Sequence, residues 1–275
     1  MSKIFIVDNK IKNFNKKIIV PGDKSLSIRW VLFASLSNGI SKAQNLLMSE
    51  DVLAALNAIK KLGIKVKIKK NEVEVHGKGL NGYKYSRKLI INAENSGTLG
   101  RLILGILINT PYPIKIIGDK SLSNRDFKRV TDPLSRFGAK FKLRNNKNLP
   151  VTILGSEHLN PITYNEEKGS AQCKSSVILG AMKVNGTSFI KAKKSRNHTE
   201  LLCKYLKLPI YVKTKKNYDE ITVKKVNKIK PFNYSIPSDI SSSAFFIVLT
   251  ALSENSKLTI KNVNINPSRT GVVTI

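Results

Sequence analysis

Apolar residues recur at two spacings along the chain, and each spacing predicts a different element. In Asp51–Leu62 an apolar residue stands at every third position from Leu53, which predicts an amphipathic helix, and Gly63 follows as a stop. Ile64–Ile68 and Val73–Val75 instead alternate apolar and polar residues about a Lys-Asn turn, which predicts a β-hairpin.

Similar short strands and helices are predicted through the rest of the chain. The predicted strands are Lys3–Val7, Lys17–Val20, Leu89–Ile91, Ile114–Ile117, Lys140–Leu143, Ile210–Lys213 and Glu220–Lys224. The predicted helices are Ser25–Leu36, Asn95–Ile108, Phe127–Phe137, Ser170–Met182 and Glu200–Tyr205, and a further strand–helix step begins in Pro237–Leu252. This alternation predicts an α/β protein with an internal repeat of tens of residues.

One octapeptide, GDKSLSxR, occurs twice, at Gly22–Arg29 and Gly118–Arg125, with seven of eight positions identical. The first copy opens one of four predicted helices that start with small glycine or hydroxyl residues and then become apolar. These starts are GDKSLSIR, NSGTLGR, GSAQCKSS and SDISSSA. The first turn of a helix offers unpaired N–H groups and a partial positive charge, so small residues there let an anion approach.

Nearby basic residues strengthen this indication of an anion site. Lys24, Arg29, Arg101 and Arg125 are placed to supply charge-assisted hydrogen bonds. One helix start contributes roughly 0.3–1 kcal/mol, whereas micromolar binding needs about 8 kcal/mol. Several of these elements must therefore converge on one site that binds small phosphorylated anions.

Length, charge and composition limit the classes of protein to which this chain can belong. The 275 residues suit about two domains, and the net charge is +30. That charge fits either a nucleic-acid-binding protein or a lysine-rich surface, and we favour the second because the lysines are scattered and aromatic residues make up only 7%. We expect a soluble cytoplasmic protein, since no signal peptide or membrane-spanning stretch is present in the sequence.

Common catalytic and cofactor motifs are missing from the sequence. There is no GxxxxGK[ST], GxGxxG, GxSxG or HExxH pattern. Cys173 and Cys203 have no CxxC neighbour and no nearby histidine cluster, so we expect two small structural thiols and no metal site.

Seven motifs together resemble the 5-enolpyruvylshikimate-3-phosphate synthase family, also called 3-phosphoshikimate 1-carboxyvinyltransferase. They stand in the family's order from one end of the chain to the other. They are PGDKSLSIR (Pro21–Arg29), NSGTLGR (Asn95–Arg101), GDKSLSNR (Gly118–Arg125), SAQCKS (Ser170–Ser175), SRNHTE (Ser195–Glu200), SDISSSAFF (Ser238–Phe246) and NPSRTG (Asn266–Gly271).

The resemblance implies that the enolpyruvyl group of phosphoenolpyruvate is transferred to the 5-hydroxyl of shikimate 3-phosphate, with release of phosphate. It implies these two small molecules as partners, no cofactor, no metal, no nucleic acid, no membrane and a monomer. It also implies the enolpyruvyl transferase fold, an inside-out α/β barrel of repeated βαβαββ units. On that template residues 21–235 form one complete domain, and residues 1–20 with 236–275 form part of a second.

The motif match also implies ligand contacts. Shikimate 3-phosphate is expected at Lys24, Ser25, Arg29, Ser170, Ala171, Gln172 and Arg196. Phosphoenolpyruvate is expected at Lys24, Gly97, Arg125 and Gln172, with Asn95 and Thr98 shaping the loop. Lys24 is the one catalytic residue expected here, because the family's acid–base carboxylates fall beyond residue 275. We therefore expect the 275-residue chain to be inactive alone and its apolar segment Phe245–Leu252 to be partly uncovered.

Three alternatives remain at this stage. The sister enzyme that acts on UDP-N-acetylglucosamine shares the implied fold, but it has no arginine at the place of Arg29 and uses a loop cysteine where this chain has Asn124 and Arg125. A basic nucleic-acid-binding protein is the second alternative. A fragment that binds ligand without catalysing the reaction is the third.

Overall fold

The structure, a computed structural model, describes residues 13–70 and 72–274. The strand predicted at Lys3–Val7 lies outside the described residues. The chain divides into two compact units, Lys24–Ile236 and Met1–Asp23 with Pro237–Ile275. Within the described residues, no helix combines the length and the apolar character that crossing a membrane requires.

Strands and helices alternate along the chain. In order they are β1 (Asn15–Ile18), α1 (Lys24–Leu36), β2 (Asn38–Gln44), α2 (Glu50–Lys61), β3 (Lys65–Ile68), β4 (Glu72–Lys78), β5 (Ile90–Asn92), α3 (Gly97–Ile106), β6 (Ile114–Ile117), α4 (Lys120–Ser123), α5 (Lys128–Ser135), β7 (Lys140–Arg144), β8 (Asn148–Leu154), β9 (Thr163–Glu166), α6 (Ala171–Ala181), β10 (Thr187–Lys193), α7 (His198–Tyr205), β11 (Ile210–Thr214), β12 (Tyr218–Lys224), β13 (Asn233–Ser235), α8 (Ile240–Ala251), β14 (Lys257–Ile260) and α9 (Gly271–Thr274).

The larger unit contains three four-stranded sheets with one shared plan. Their strand orders are β13-β2-β4-β3, β5-β6-β8-β7 and β9-β10-β12-β11. In each sheet the first pair is parallel and the next two pairs are antiparallel. The chain thus folds as βαβαββ three times, and β13 near the end of the unit supplies the first strand of the sheet that contains β2. The expectation of an α/β fold is confirmed.

Helices occupy the centre of this unit. From Leu26 to Leu36 every residue of α1 is buried, as are nearly all residues of α3 and Cys173–Ala181 of α6. The strands beside them alternate, with β8, β10 and β12 burying every second residue. The sheets therefore turn one face to the central helices and the other outward, which explains why α1 and α6 are buried over their whole circumference.

The two octapeptides fold differently. The first opens the 13-residue helix α1, whereas the second forms only the four-residue α4, which ends at Ser123 with Asn124 as its C-cap. The cause lies in the residues that follow: WVLFASL continues α1 into the core, whereas Asp126 and Lys128 follow α4 and a new helix begins.

The smaller unit pairs β1 with β14 in parallel, and Asp239 caps α8 by accepting a hydrogen bond from the Ser241 N–H at 2.8 Å. Apolar side chains are exposed along α8 and just after it: Phe245 is 80% exposed, and Leu252, the residue that follows the helix, is 81% exposed. The expectation of a partly uncovered apolar segment is confirmed.

Candidate functional site

Two central helices begin side by side at the same end of the larger unit. Ser96 caps α3 by accepting from Leu99 N–H, and Ser170 caps α6 by accepting from Cys173 N–H, each at 3.3 Å. Capping uses the acceptor oxygen of a serine and leaves its O–H able to donate. A structural role for Ser170 is therefore compatible with the ligand contact that the sequence predicts for it.

The amide of Gln172 joins these two helix starts. Its Oε1 accepts from Arg101 Nη1 at 2.7 Å, and its Nε2 donates to Thr98 Oγ1 at 3.1 Å. Because both the oxygen and the nitrogen of the amide are hydrogen-bonded, the Gln172 side chain has a fixed orientation at the N-terminal ends of α3 and α6.

Arg101, the residue that fixes Gln172, is buried and makes several hydrogen bonds. Only 2% of it is exposed, and besides Gln172 it donates to the carbonyl oxygens of Gly97 (3.3 Å) and Asp126 (3.2 Å). Its guanidinium carbon lies 4.9 Å from the ring centroid of Phe127. Burial, with the charge of Arg129 nearby, lowers the pKa of Arg101 to about 10, so it stays charged at neutral pH.

Gly97 leaves the space that Arg101 and Arg125 use. A Cβ on Gly97 would lie 2.7 Å from Arg101 Nη1 and 3.3 Å from Arg125 Nη1. Arg125 is itself exposed and donates from Nη2 to Asn95 Oδ1 at 3.4 Å. Two guanidinium groups thus face the first residue of α3, one buried and one open to solvent.

The second octapeptide supports this arrangement through Asp119. Its Oδ1 accepts from Leu122 N–H at 2.6 Å, and its Oδ2 accepts from Asn95 Nδ2 at 2.5 Å. These hydrogen bonds, with the charge of Arg125, lower the pKa of Asp119. Asp119 therefore holds Asn95, which in turn meets Arg125.

Arg29 ties α1 to both α6 and α7. It is 3% exposed, and it donates from Nε to Thr199 Oγ1 at 2.8 Å and from Nη2 to Ser175 Oγ at 3.1 Å. Its Nη1 donates to the Ser25 carbonyl at 3.0 Å, and Thr199 Oγ1 donates to Ser175 Oγ at 2.7 Å. The guanidinium is therefore held in one orientation by groups from three helices.

The remaining predicted residues lie on the open side of these helix starts. Lys24 is half exposed, with Nζ 3.4 Å from Asp51 Oδ2. Ala171 is partly exposed at the first turn of α6, and Arg196 is exposed on the segment that leads into α7.

Four residues of this network were not assigned from the sequence. Ser175 and Thr199 hold Arg29, and behind them Lys174 and Glu200 form a buried ion pair of 2.7 Å. All four lie inside the motifs SAQCKS and SRNHTE. Their adjacency to predicted ligand residues was the available signal, but which of them face inward depends on helix packing.

The two cysteines lie in the interior of the protein. Cys173 and Cys203 are both buried and reduced, and burial raises the pKa of each thiol. Among residues 13–70 and 72–274, no cluster of His, Cys, Asp and Glu is suited to hold a metal ion.

Comparison with known proteins gives one consistent answer. Residues 9–275 match the family model described as EPSP synthase (3-phosphoshikimate 1-carboxyvinyltransferase). The chain is 40% identical over 268 residues to the 3-phosphoshikimate 1-carboxyvinyltransferase of Petrotoga mobilis, and 41% identical over 271 residues to that of Caldicellulosiruptor bescii. Each match covers 96% of this chain.

A solved structure agrees with this result. The EPSP synthase of Acinetobacter baumannii superposes with a TM-score of 0.87 at 35% identity, over 96% of this chain and 59% of that one. The chain spans 61% of the length of the two bacterial relatives. With both sequence and fold in agreement, the chain belongs to the EPSP synthase (3-phosphoshikimate 1-carboxyvinyltransferase) family.

Proposed function

We propose that the larger unit binds shikimate 3-phosphate and phosphoenolpyruvate, and that it contributes this binding surface to enolpyruvyl transfer. The observation that carries the proposal is the linked set of anion-binding groups around Gln172. Helix starts and guanidinium groups that are individually weak for binding become effective when they converge on one ligand.

The shikimate 3-phosphate side of the proposal centres on Arg29 and α6. Ser170, Ala171 and Gln172 stand at the first turn of α6, where backbone N–H groups and the helix dipole favour a phosphate. Ser25 and Arg29 lie across from them on α1, and Arg196 supplies a further exposed cation. Arg29 is held in place before any ligand arrives, so binding costs it little side-chain entropy.

The phosphoenolpyruvate side centres on Gly97. Arg125 is exposed, and its Nη1 lies 3.3 Å from the position that a Cβ on Gly97 would take, so an anion lying against Gly97 would meet its guanidinium. Lys24 carries a half-exposed ammonium that is able to contact both substrates. Asn95 and Thr98 shape the loop by fixing Arg125 and Gln172.

We propose the complete reaction for the full-length family protein: addition of the 5-hydroxyl of shikimate 3-phosphate to the central carbon of phosphoenolpyruvate, followed by loss of phosphate. We further propose residues 21–235 as one complete domain, with residues 1–20 and 236–275 belonging to a second. A monomeric state and a cytoplasmic location complete the proposal.

The proposal is tested by calorimetric titration of the 275-residue chain with shikimate 3-phosphate and, separately, with shikimate. Saturable binding of the phosphorylated compound, at least tenfold tighter than that of shikimate, is expected because the site is built for a phosphate. Equal affinity for the two compounds, or no binding of either, would overturn it.

A further inference from the structure

Lys174 and Glu200 form a deeply buried ion pair in the larger unit, and the proposed binding roles leave it unused. Lys174 Nζ lies 2.7 Å from Glu200 Oε1, and the two side chains are 0% and 5% exposed. Neither charged group has a hydrogen-bonding partner with good geometry among the described residues. Among the described residues, the ammonium and both carboxylate oxygens are therefore buried with only each other as a charged partner.

Such a pair is a poor source of stability. The attraction between two buried charges offsets their loss of hydration only when further hydrogen bonds satisfy both groups, and here they do not. Apolar side chains of similar volume would pack the same space at lower cost. The pair therefore calls for an explanation other than stabilisation of the fold.

Its position supplies that explanation. Lys174 immediately precedes Ser175 on α6, and Glu200 immediately follows Thr199 on α7. Ser175 and Thr199 are the two hydroxyl residues that hold the Arg29 guanidinium, and they also bond to each other. The ion pair thus links the same two helix turns, one residue away from the hydroxyls.

We propose that Lys174 and Glu200 are positioning residues for the shikimate 3-phosphate site: their ion pair fixes the register of α6 against α7, so that Ser175 and Thr199 hold the Arg29 guanidinium in the orientation that meets the ligand. Sliding of one helix along the other would separate the two buried charges and leave each uncompensated, whereas an apolar contact can repack after such a shift. This inference rests on the proposed function, because its effect is read in the affinity for shikimate 3-phosphate.

The test compares a double variant, Lys174→Met with Glu200→Leu, against the unchanged chain by calorimetry with shikimate 3-phosphate and by thermal unfolding. The double variant removes both charges together and leaves neither one unpaired. A matched control is Lys69→Met with Glu74→Leu, which removes the 2.7 Å ion pair on the hairpin β3–β4. If the pair positions Arg29, the Lys174/Glu200 double variant binds shikimate 3-phosphate at least tenfold more weakly than the unchanged chain and melts at a temperature at least as high. The control variant binds shikimate 3-phosphate with unchanged affinity.

Equal affinity in the double variant and the unchanged chain would overturn the inference and leave the proposed function standing. Absence of binding by the unchanged chain would overturn both. If the double variant does not fold, Glu200→Asp serves in its place, because it keeps the charge and shortens the reach by one methylene. Affinity for shikimate 3-phosphate is then expected to fall at least threefold, and no change would again contradict the positioning role.

Discussion

Nη1 of Arg101 lies 2.7 Å from Oε1 of Gln172, so a buried cation of α3 fixes the amide that opens α6. The two residues stand 71 positions apart in sequence and belong to successive βαβαββ units. The repeat places their helix starts side by side, and this hydrogen bond turns two neighbouring helix starts into one site.

Replacing Arg101 by lysine tests this relationship. Lysine keeps the charge, but its three donors all start from one nitrogen instead of a planar fork, so it cannot reach Gln172, the Gly97 carbonyl and the Asp126 carbonyl together. We expect the affinity for shikimate 3-phosphate to fall about tenfold, or ~1.4 kcal/mol, in calorimetry. The exposed Arg136→Lys serves as the control and is expected to change nothing. Equal affinity in Arg101→Lys and in the control would show that Gln172 needs no such anchor.

Gly97→Ala is expected to disturb the hydrogen bond between Arg101 and Gln172 by crowding the Arg101 guanidinium. The added methyl would lie 2.7 Å from Arg101 Nη1, closer than real contacts allow, so the guanidinium must move away from Gln172. Overpacking of this kind costs about 1–3 kcal/mol, which denaturant unfolding measures, and affinity for phosphoenolpyruvate in the presence of shikimate 3-phosphate should fall with it. Gly271→Ala is the matched control, because no atom lies within 4 Å of its added methyl. Full stability and affinity in Gly97→Ala would contradict this account.

Thr199→Val tests the network around Arg29. Valine keeps the shape of threonine but removes the oxygen that accepts from Arg29 Nε and donates to Ser175. Leaving a buried charged donor unpaired costs about 1–3 kcal/mol, so urea unfolding should show a loss of that size. Thr131→Val is the control, because the buried Thr131 makes one local hydrogen bond to the Lys128 carbonyl. A smaller loss at Thr199 than at Thr131 would argue against the network.

The ion pair of Glu74, which lies outside the candidate site, predicts that the stability of the fold depends on pH. A hydrogen bond from Lys69 at 2.7 Å, aided by Lys42, lowers the pKa of Glu74 from 4.5 to about 2. Because the folded pKa lies below the unfolded one, this stabilisation is fully present above pH 4.5 and is lost as the pH falls towards 2.

The measurement is the difference in melting temperature between the unchanged chain and Glu74→Gln. We expect the difference to be largest near pH 6 and to shrink as the pH is lowered through 4 towards 2. A difference that stays constant over this range would mean that the carboxylate of Glu74 does not contribute through its charge.

Much of the fold followed from local patterns. The helix predicted at Asp51–Leu62 is found as Glu50–Lys61, and the one predicted at Ser170–Met182 is found as Ala171–Ala181, because apolar spacing and capping residues are local signals. Strand β2 was missed since NGISKAQ lacks an apolar alternation. It forms because β4 and β13 pair with it from distant parts of the chain.

The site was predictable only in part. The motif match named Gln172 and Arg29, but their partners depend on which helix faces which. The sequence grouped Arg101 with the cations placed to bind the anion, and in the structure it is buried and donates to protein groups, as Arg29 also does. Lys174 and Glu200 resemble ordinary surface charges in sequence, and only the packing of α6 on α7 reveals that they are buried.

The most direct test of the central claim is a calorimetric titration of shikimate 3-phosphate into the unchanged chain, Lys24→Ala and Arg29→Ala. If the larger unit binds shikimate 3-phosphate as proposed, the unchanged chain shows saturable binding, and both variants bind at least tenfold more weakly. Unchanged affinity in both variants would contradict the account.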